Sequence, residues 1–313
     1  MKLLKNFNKT KNKLLYILLY GCAAIFILNV FFYISNERNV VYFKPNNINI
    51  DYDYLKKYVN TIHKEQFKNK INGLSNYNLS YNEFLKQYIN RIYNIPTRYQ
   101  RFIKEHMREM YRYLKNQDII NKTPVNILIT KGLEGDMPYT IGNTILISEK
   151  DIDYNNTHWE RNNKLRTRFI NTLIHEYIHI LQRNNQTRFD NFYREKYPFL
   201  GEKNHINNID DNIKKLYMTN PDSNNSVWVY KYNNNEYIPI LSKNVSKFGF
   251  NDKYQSYCIQ KSKDNRLSSN FVLLKDIIKY KYISYHPNEI FANEYSEKIM
   301  NNKLNMREKE LLL

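Results

Sequence analysis

The chain is poor in the residues that punctuate or staple a fold, with Gly 7, Pro 8 and Cys 2 in 313 residues. Cys22 falls in an apolar run near the N-terminus and Cys258 far beyond it. No disulfide is therefore possible within the C-terminal part, which must hold together by its core alone. A hydrophobic content of 42% is enough for that, and it leaves Cys258 as a buried thiol or an intermolecular partner. Scarce Gly and Pro beside abundant Lys, Asn, Ile and Tyr is the pattern an AT-rich genome imposes whatever the function. There is no internal repeat, which excludes a solenoid or propeller. Lys+Arg 48 against Asp+Glu 30 gives a net charge of +18, which would suit a nucleic acid or an anionic membrane surface. No zinc-finger, RRM-like or basic-zipper pattern accompanies that charge, so no specific nucleic-acid partner is expected.

Residues 1–13 carry Lys2, Lys5, Lys9, Lys11 and Lys13 and no acidic residue, and the stretch from Leu14 to Ile34 carries no charge at all. About 20 apolar residues is the length a helix needs to cross a bilayer. A cleaved signal peptide has a shorter apolar core and a small-residue cleavage site, whereas Ser35-Asn36-Glu37-Arg38 follows this one. A lipoprotein site at Gly21-Cys22 fails because the apolar run continues past the cysteine. The expectation is a basic cytoplasmic tail over 1–13 and an uncleaved transmembrane helix over 14–34. Five lysines precede the span and Arg38 alone follows closely, which sends the C-terminal part across the membrane as an extracellular or lumenal domain. Asn-x-Ser/Thr triplets at Asn78, Asn121, Asn155, Asn185, Asn224 and Asn244 would be open to glycosylation there.

Residues 35–50 read as a polar tether. From 51 to 117 apolar positions recur at helical spacing: Tyr54, Val59 and Ile62, then Phe84, Leu85, Tyr88, Ile89 and Ile92, then Phe102, Ile103, Met107, Met110, Tyr111 and Leu114. These stripes read as the core face of a helical layer. Ser80 with Glu83 makes a capping box, and Pro96-Thr97 separates the second helix from the third. His63 and His106 fall among the stripes and receive no role. The β-branched runs Pro124–Thr130 and Asn143–Glu149, with Gly132, Gly135, Asp136, Pro138 and Gly142 between them, predict two strands. The second strand is either an interior strand or one that borders a cleft and pairs with an extended peptide. Residues 190–280 read as an Asn-rich insertion. Within it, Val227–Tyr232 and Glu236–Leu241 flank Asn233–Asn235 as a hairpin, with Pro239 placing its strand at a sheet edge.

The stretch that carries chemistry is Leu173-Ile174-His175-Glu176-Tyr177-Ile178-His179-Ile180-Leu181. On a helix, His175 and His179 stack on one face and both rings reach one cation. Neutral imidazole suits zinc, and a catalytic zinc takes three protein ligands plus a water whose proton a neighbouring carboxylate such as Glu176 can accept. The residues within and beside the motif are uncharged and mostly apolar, as a buried helix requires. One Zn2+ per chain is expected, with a peptide or protein as substrate. No oligomeric state is read from the sequence.

Two histidines leave the zinc short of a ligand. Gln182 and Asn185 stand where a metzincin needs Gly and His, and Asp190 lacks the Gly-Thr context expected of an aspartate ligand. The stretch Tyr285-His286-Pro287-Asn288-Glu289-Ile290-Phe291-Ala292-Asn293-Glu294-Tyr295 remains, with Pro287 suited to the first turn of a helix. With these residues the chain resembles the gluzincins, the thermolysin-like branch of zinc metallopeptidases, over about 124–183 and 285–300. The resemblance implies His175, His179 and Glu289 as ligands, Glu176 as general base and peptide hydrolysis as the reaction. It also implies a partner for the first histidine four positions after the glutamate. Many gluzincins have Asp there and this chain has Asn293, whose carbonyl oxygen can accept the imidazole N–H. Tyr282, Tyr285 and His286 lie just upstream of Glu289, and His286 or Tyr285 is preferred as oxyanion donor by position, each being equally a packing or capping residue. Glu289 and Glu294 lie about 140° apart around a helix, so both cannot face the metal. Composition and isolated anchor are also similar in style to membrane-anchored proteins of large AT-rich DNA viruses.

The expected architecture is α+β: a zincin-like domain over 51–313, with a helical part (51–117), sheet and metal helix (124–183), the insertion (190–280) and a third-ligand helix (285–301). Two other classes stay open. One is a non-catalytic membrane or structural protein with a residual zinc site. The other is a basic lipid- or nucleic-acid-binding protein.

Overall fold

A computed structural model describes residues 50–75, 78–119, 125–158, 160, 162–242, 255–261 and 267–313. The chain divides into two units, Met1–Val41 and Tyr42–Leu313. The expected tail, the anchor over 14–34 and nearly all of the tether lie outside the described residues. Among the described residues no helix is long and apolar enough to cross a membrane.

The second unit is α+β. Its first part packs α1 (Tyr52–Val59), α2 (Phe67–Lys70) and α3 (Tyr81–Ile89) on one side of a small sheet. The Ser80–Glu83 capping box starts α3 as expected. The long α4 (Thr97–Asn116) begins directly after Pro96, with Phe102, Ile103, Met107, Met110 and Leu114 buried. Ile92, which extends the helical stripe in the sequence, belongs instead to β1 (Ile92–Tyr93).

The two predicted strands are present as β2 (Asn126–Thr130) and β4 (Thr144–Ser148), paired in parallel. Between them lies a strand the sequence did not announce, β3 (Tyr139–Ile141), antiparallel to β4. Sheet order is β1-β2-β4-β3. β4 is thus an interior strand with both edges paired and all five residues buried. It cannot receive a substrate strand, and the edge falls to β3. Gly142, between β3 and β4, has φ +55, and a Cβ there would stand 2.8 Å from that of Asp51, so the turn requires glycine.

Helix α5 (Glu149–His158) leads to the motif helix α6 (Asn163–Asn184), whose start is capped by the Asn162 side chain. The described residues of the Asn-rich insertion form regular elements. α7 (Gln186–Lys196) follows at once, buried through Phe189 and Tyr193. A five-stranded antiparallel sheet then runs in simple order through β5 (Leu200–His205), β6 (Ser226–Tyr232), β7 (Asn235–Ser242), β8 (Gln255–Lys261) and β9 (Leu267–Leu273), with α8 (Asp211–Leu216) between β5 and β6. The β6–β7 hairpin forms where expected, and Asn233 and Asn234 take the positive φ angles (48° and 62°) that a tight hairpin turn demands. Pro239 does not mark an edge, because β7 lies in the middle of this sheet. The β6 register covers Asn235–Tyr237 only, so Pro239 faces β8 alone and its missing N–H breaks no second ladder. Cys258 is buried on β8, its thiol 3.6 Å from the Val272 carbonyl oxygen. α9 (Leu274–Ile277), α10 (Pro287–Met300) and α11 (Met306–Leu312) complete the chain, α10 packing on α6.

Candidate metal centre

The site forms where the middle of α6 meets the first turn of α10. Leu173, Ile174, Tyr177, Ile178, Ile180 and Leu181 are buried, so α6 is packed nearly all round and its two histidines are held rigidly. The N-cap of α10 is His286, with Pro287 next, so Glu289 projects from the first turn as the sequence predicted. Nε2 of His175 lies 3.0 Å from Nε2 of His179. One carboxylate oxygen of Glu289 lies 3.3 Å from His175 Nε2 and the other 3.4 Å from His179 Nε2. Donor atoms each about 2.1 Å from a tetrahedral zinc stand about 3.4 Å from one another, which these separations approach when each histidine is taken with its nearer Glu289 oxygen, and one donor atom of each residue lies within 4.8 Å of the others.

The side chains of His175 and Glu289 are 16% and 15% exposed while that of His179 is 1% exposed, so the donor set opens to solvent on one side. Burial alone would raise the Glu289 carboxyl, but the two imidazoles, His179 first, outweigh it and hold it well below the usual carboxylate range. Burial likewise opposes charge on His179, and the Asp222 and Glu289 carboxylates overcome it, lifting the ring to about 10. These groups could hold a metal ion.

Outer contacts differ from the expectation. Asn293 is exposed and does not serve as the imidazole's partner, because the line that runs one turn up from Glu289 leads to Asn293 and then Glu297, out into solvent. Gln182 instead holds the second histidine. Its amide oxygen is 2.7 Å from Nδ1 of His179, and its amide nitrogen donates to the Asn288 carbonyl at 3.0 Å. His286 is not an oxyanion donor. It is buried, its Nδ1 accepts the Asn288 N–H at 3.1 Å, and its Nε2 lies 3.1 Å from the Ser226 hydroxyl. Burial pushes its pKa down to about 3, so it stays neutral. Tyr285 is buried too, but its hydroxyl is tied to the site, since the Asn220 amide donates to it at 2.6 Å and to Glu289 Oε1 at 3.0 Å. Burial and the Glu289 charge raise Tyr285 well above its ordinary pKa, so it keeps its proton. The rival acids are engaged elsewhere: Glu294 pairs with Lys196 at 2.5 Å and Lys298 at 3.1 Å, and Asp190 with Lys203 at 2.5 Å.

Glu176 is buried, and its Oε2 has no hydrogen-bond partner among the described residues. Burial and the nearby Asp222 charge raise its pKa well above the usual value. Asp222 is a site residue the sequence did not reveal. It stands in a short 3₁₀ turn, Pro221–Ser223, and its carboxylate gathers with Glu176 and His179. Its Oδ1 accepts the Thr140 N–H at 3.1 Å and lies 3.3 Å from Arg183, and it also takes the Thr140 hydroxyl. Arg183 was legible in principle, because seven residues beyond Glu176 is two helical turns and the same face. Asp222 and Asn220 carry no local signal.

No family model matches the chain, and no curated protein or solved structure was found similar to it.

Proposed function

We propose that the chain is a zinc-dependent metallopeptidase of gluzincin type with a zincin-like catalytic domain, hydrolysing peptide bonds. One observation carries the reading: three donors from two helices converge at ligand spacing beside a buried, partnerless carboxylate oxygen, with one side open to solvent. His175, His179 and Glu289 hold the ion. A zinc ion there supplies Lewis-acid polarisation of the scissile carbonyl and of the attacking water. Glu176 accepts that water's proton and delivers it to the leaving nitrogen, and a carboxyl whose basicity burial has raised suits the task. Tyr285, protonated and held through Asn220, is the donor for the developing oxyanion. A purely structural zinc is less well supported, because such sites close with four protein ligands and among the described residues this set has three. The apolar run over 14–34 anchors the enzyme, with the second unit on the extracytoplasmic side.

The test is zinc content alongside hydrolysis of an unfolded protein such as casein. Wild type binds close to one zinc per chain, and hydrolysis stops with a chelator and returns with zinc. Glu176→Gln retains the metal and loses hydrolysis, because only the proton acceptor is gone. Loss of zinc in that variant, or cleavage that survives it, removes Glu176 from the role.

A further inference from the structure

The edge of the small sheet lies against the metal site and is sealed by the chain itself. β3 is the edge strand, and Thr140 stands opposite Ile145 of β4 with its backbone N–H and C=O turned outward. Those groups are what an extended peptide would need in order to add as a strand next to the metal. Both are taken. Asp222 accepts the Thr140 N–H at 3.1 Å, and Arg183 reaches the Thr140 carbonyl at 3.3 Å and the Gly142 carbonyl at 2.6 Å.

The segment that carries Asp222 is fastened from several sides. Tyr54 donates to the Pro221 carbonyl at 2.8 Å. Tyr58 donates to the Thr219 carbonyl at 3.2 Å, and Lys70, paired with Glu134 at 2.5 Å, donates to the same oxygen. From α10, Asn288 donates to the Asp222 carbonyl at 2.6 Å.

We propose that Asp222 is a specificity-determining residue. By occupying the edge of β3, it keeps extended polypeptides from pairing there and confines the metal site to short or turn-shaped peptides. This rests on the metallopeptidase reading above. It replaces the recognition mode that an open edge strand would offer, main-chain pairing with little sequence preference, by one in which shape decides.

The test uses the full-length protein in detergent with Co2+ in place of zinc, so that binding is read from the metal's absorption spectrum and no turnover is needed. Two probes are titrated: acetohydroxamate, which needs only the metal, and an extended hexapeptide hydroxamate, which also needs the strand edge. Asp222→Ala should raise the ratio of hexapeptide to acetohydroxamate affinity by about 10-fold, as expected when one competing internal hydrogen-bonded contact is removed, whatever the lost charge does to both probes alike. Asp222→Asn keeps an oxygen to accept the Thr140 N–H, so its ratio of hexapeptide to acetohydroxamate affinity should stay at the wild-type value. Tyr54→Phe loosens the segment from outside the site, and it should move the ratio in the same direction as Asp222→Ala even if that variant does not fold. An unchanged ratio of the two affinities in both Asp222→Ala and Tyr54→Phe overturns the proposal, as does a lower ratio in Asp222→Ala. If acetohydroxamate fails to bind wild type, the metal reading itself fails and this inference goes with it, a result distinct from an unchanged ratio.

Discussion

Gln182 stands three residues after His179, and its amide oxygen lies 2.7 Å from Nδ1 of that ring. The orientation of the amide is fixed because its nitrogen donates to the Asn288 carbonyl, which has nothing to donate. The oxygen therefore accepts and Nδ1 carries a proton, so in the neutral ring the lone pair is on Nε2, which faces His175 and Glu289. One side chain thus ties the turn that presents Glu289 to the tautomer of His179.

The first prediction follows directly. Gln182→Leu keeps the volume roughly while removing the acceptor from His179 and the donor from Asn288, so zinc affinity should fall by about 10- to 100-fold, the usual cost of losing an outer hydrogen bond to a ligating histidine. Competition with a chromogenic chelator measures it. Affinity within twofold of wild type would mean that the tautomer is set by something else.

The second prediction separates three neighbours on α10. Glu289→Ala should weaken zinc at least as much, by about 10-fold or more, because it removes a ligand rather than a ligand's partner. Asn293→Ala should leave the metal and the stability nearly unchanged, since the side chain is exposed. Glu294→Ala should spare the metal but lower stability by about 1–3 kcal/mol, because Lys196 and Tyr280 lose their shared partner. If Glu294→Ala lost zinc and Glu289→Ala kept it, the site would have to be rebuilt one helical face away.

What could be read from the sequence was what local spacing encodes. His175 and His179 four apart, Ser80 with Glu83, Pro287 opening a helix two residues before Glu289, and Asn233-Asn234 in a hairpin turn each state their geometry within one or two turns of chain. The parts that stayed hidden depend on pairing across the fold. β3 has three residues, too few for a periodic signal, and only its presence makes β4 interior. Asp222 acquires its meaning from Thr140 and Arg183, which reach it from a strand and a helix far upstream. Asn293 shows the opposite failure, a correct helical register whose outward direction could be known only once α10 had packed on α6.

His286 provides the third prediction, on the side of stability. As N-cap of α10 it satisfies the Asn288 N–H, and it is buried against Ser226. His286→Ala should cost about 0.5–2 kcal/mol for the cap alone, seen as a lower Tm, and His286→Asn should recover most of the cap. Per zinc-loaded molecule, the rate of hydrolysis should hold within a few-fold in the Asn variant. An unchanged Tm with a hundredfold loss of rate would return His286 to the reaction.

The last prediction concerns the proton that zinc must displace. In the metal-free protein the Asp222 and Glu289 carboxylates outweigh burial and lift His179 to about 10, from an ordinary 6.5. A folded-state pKa above the unfolded value means that this proton stabilises the metal-free fold fully below about pH 6.5, and that the contribution is lost as pH rises through about 10. Glu289 acts in the opposite sense. Held well below its ordinary 4.5, it contributes above that pH and ceases to as pH falls through its lower folded value. Zinc binds the neutral ring, so it competes with the His179 proton throughout the interval between. To remove the neighbouring acid from the proton count, the measurement is made in Glu176→Gln. There, apparent zinc affinity should rise by about 10-fold per pH unit between pH 7 and 9, with close to one proton released per ion, as read by calorimetry in buffers of different ionisation enthalpy. Affinity that stays flat over that interval, with no proton released, would show that His179 is already neutral and that the two carboxylates do not act on it as their positions imply.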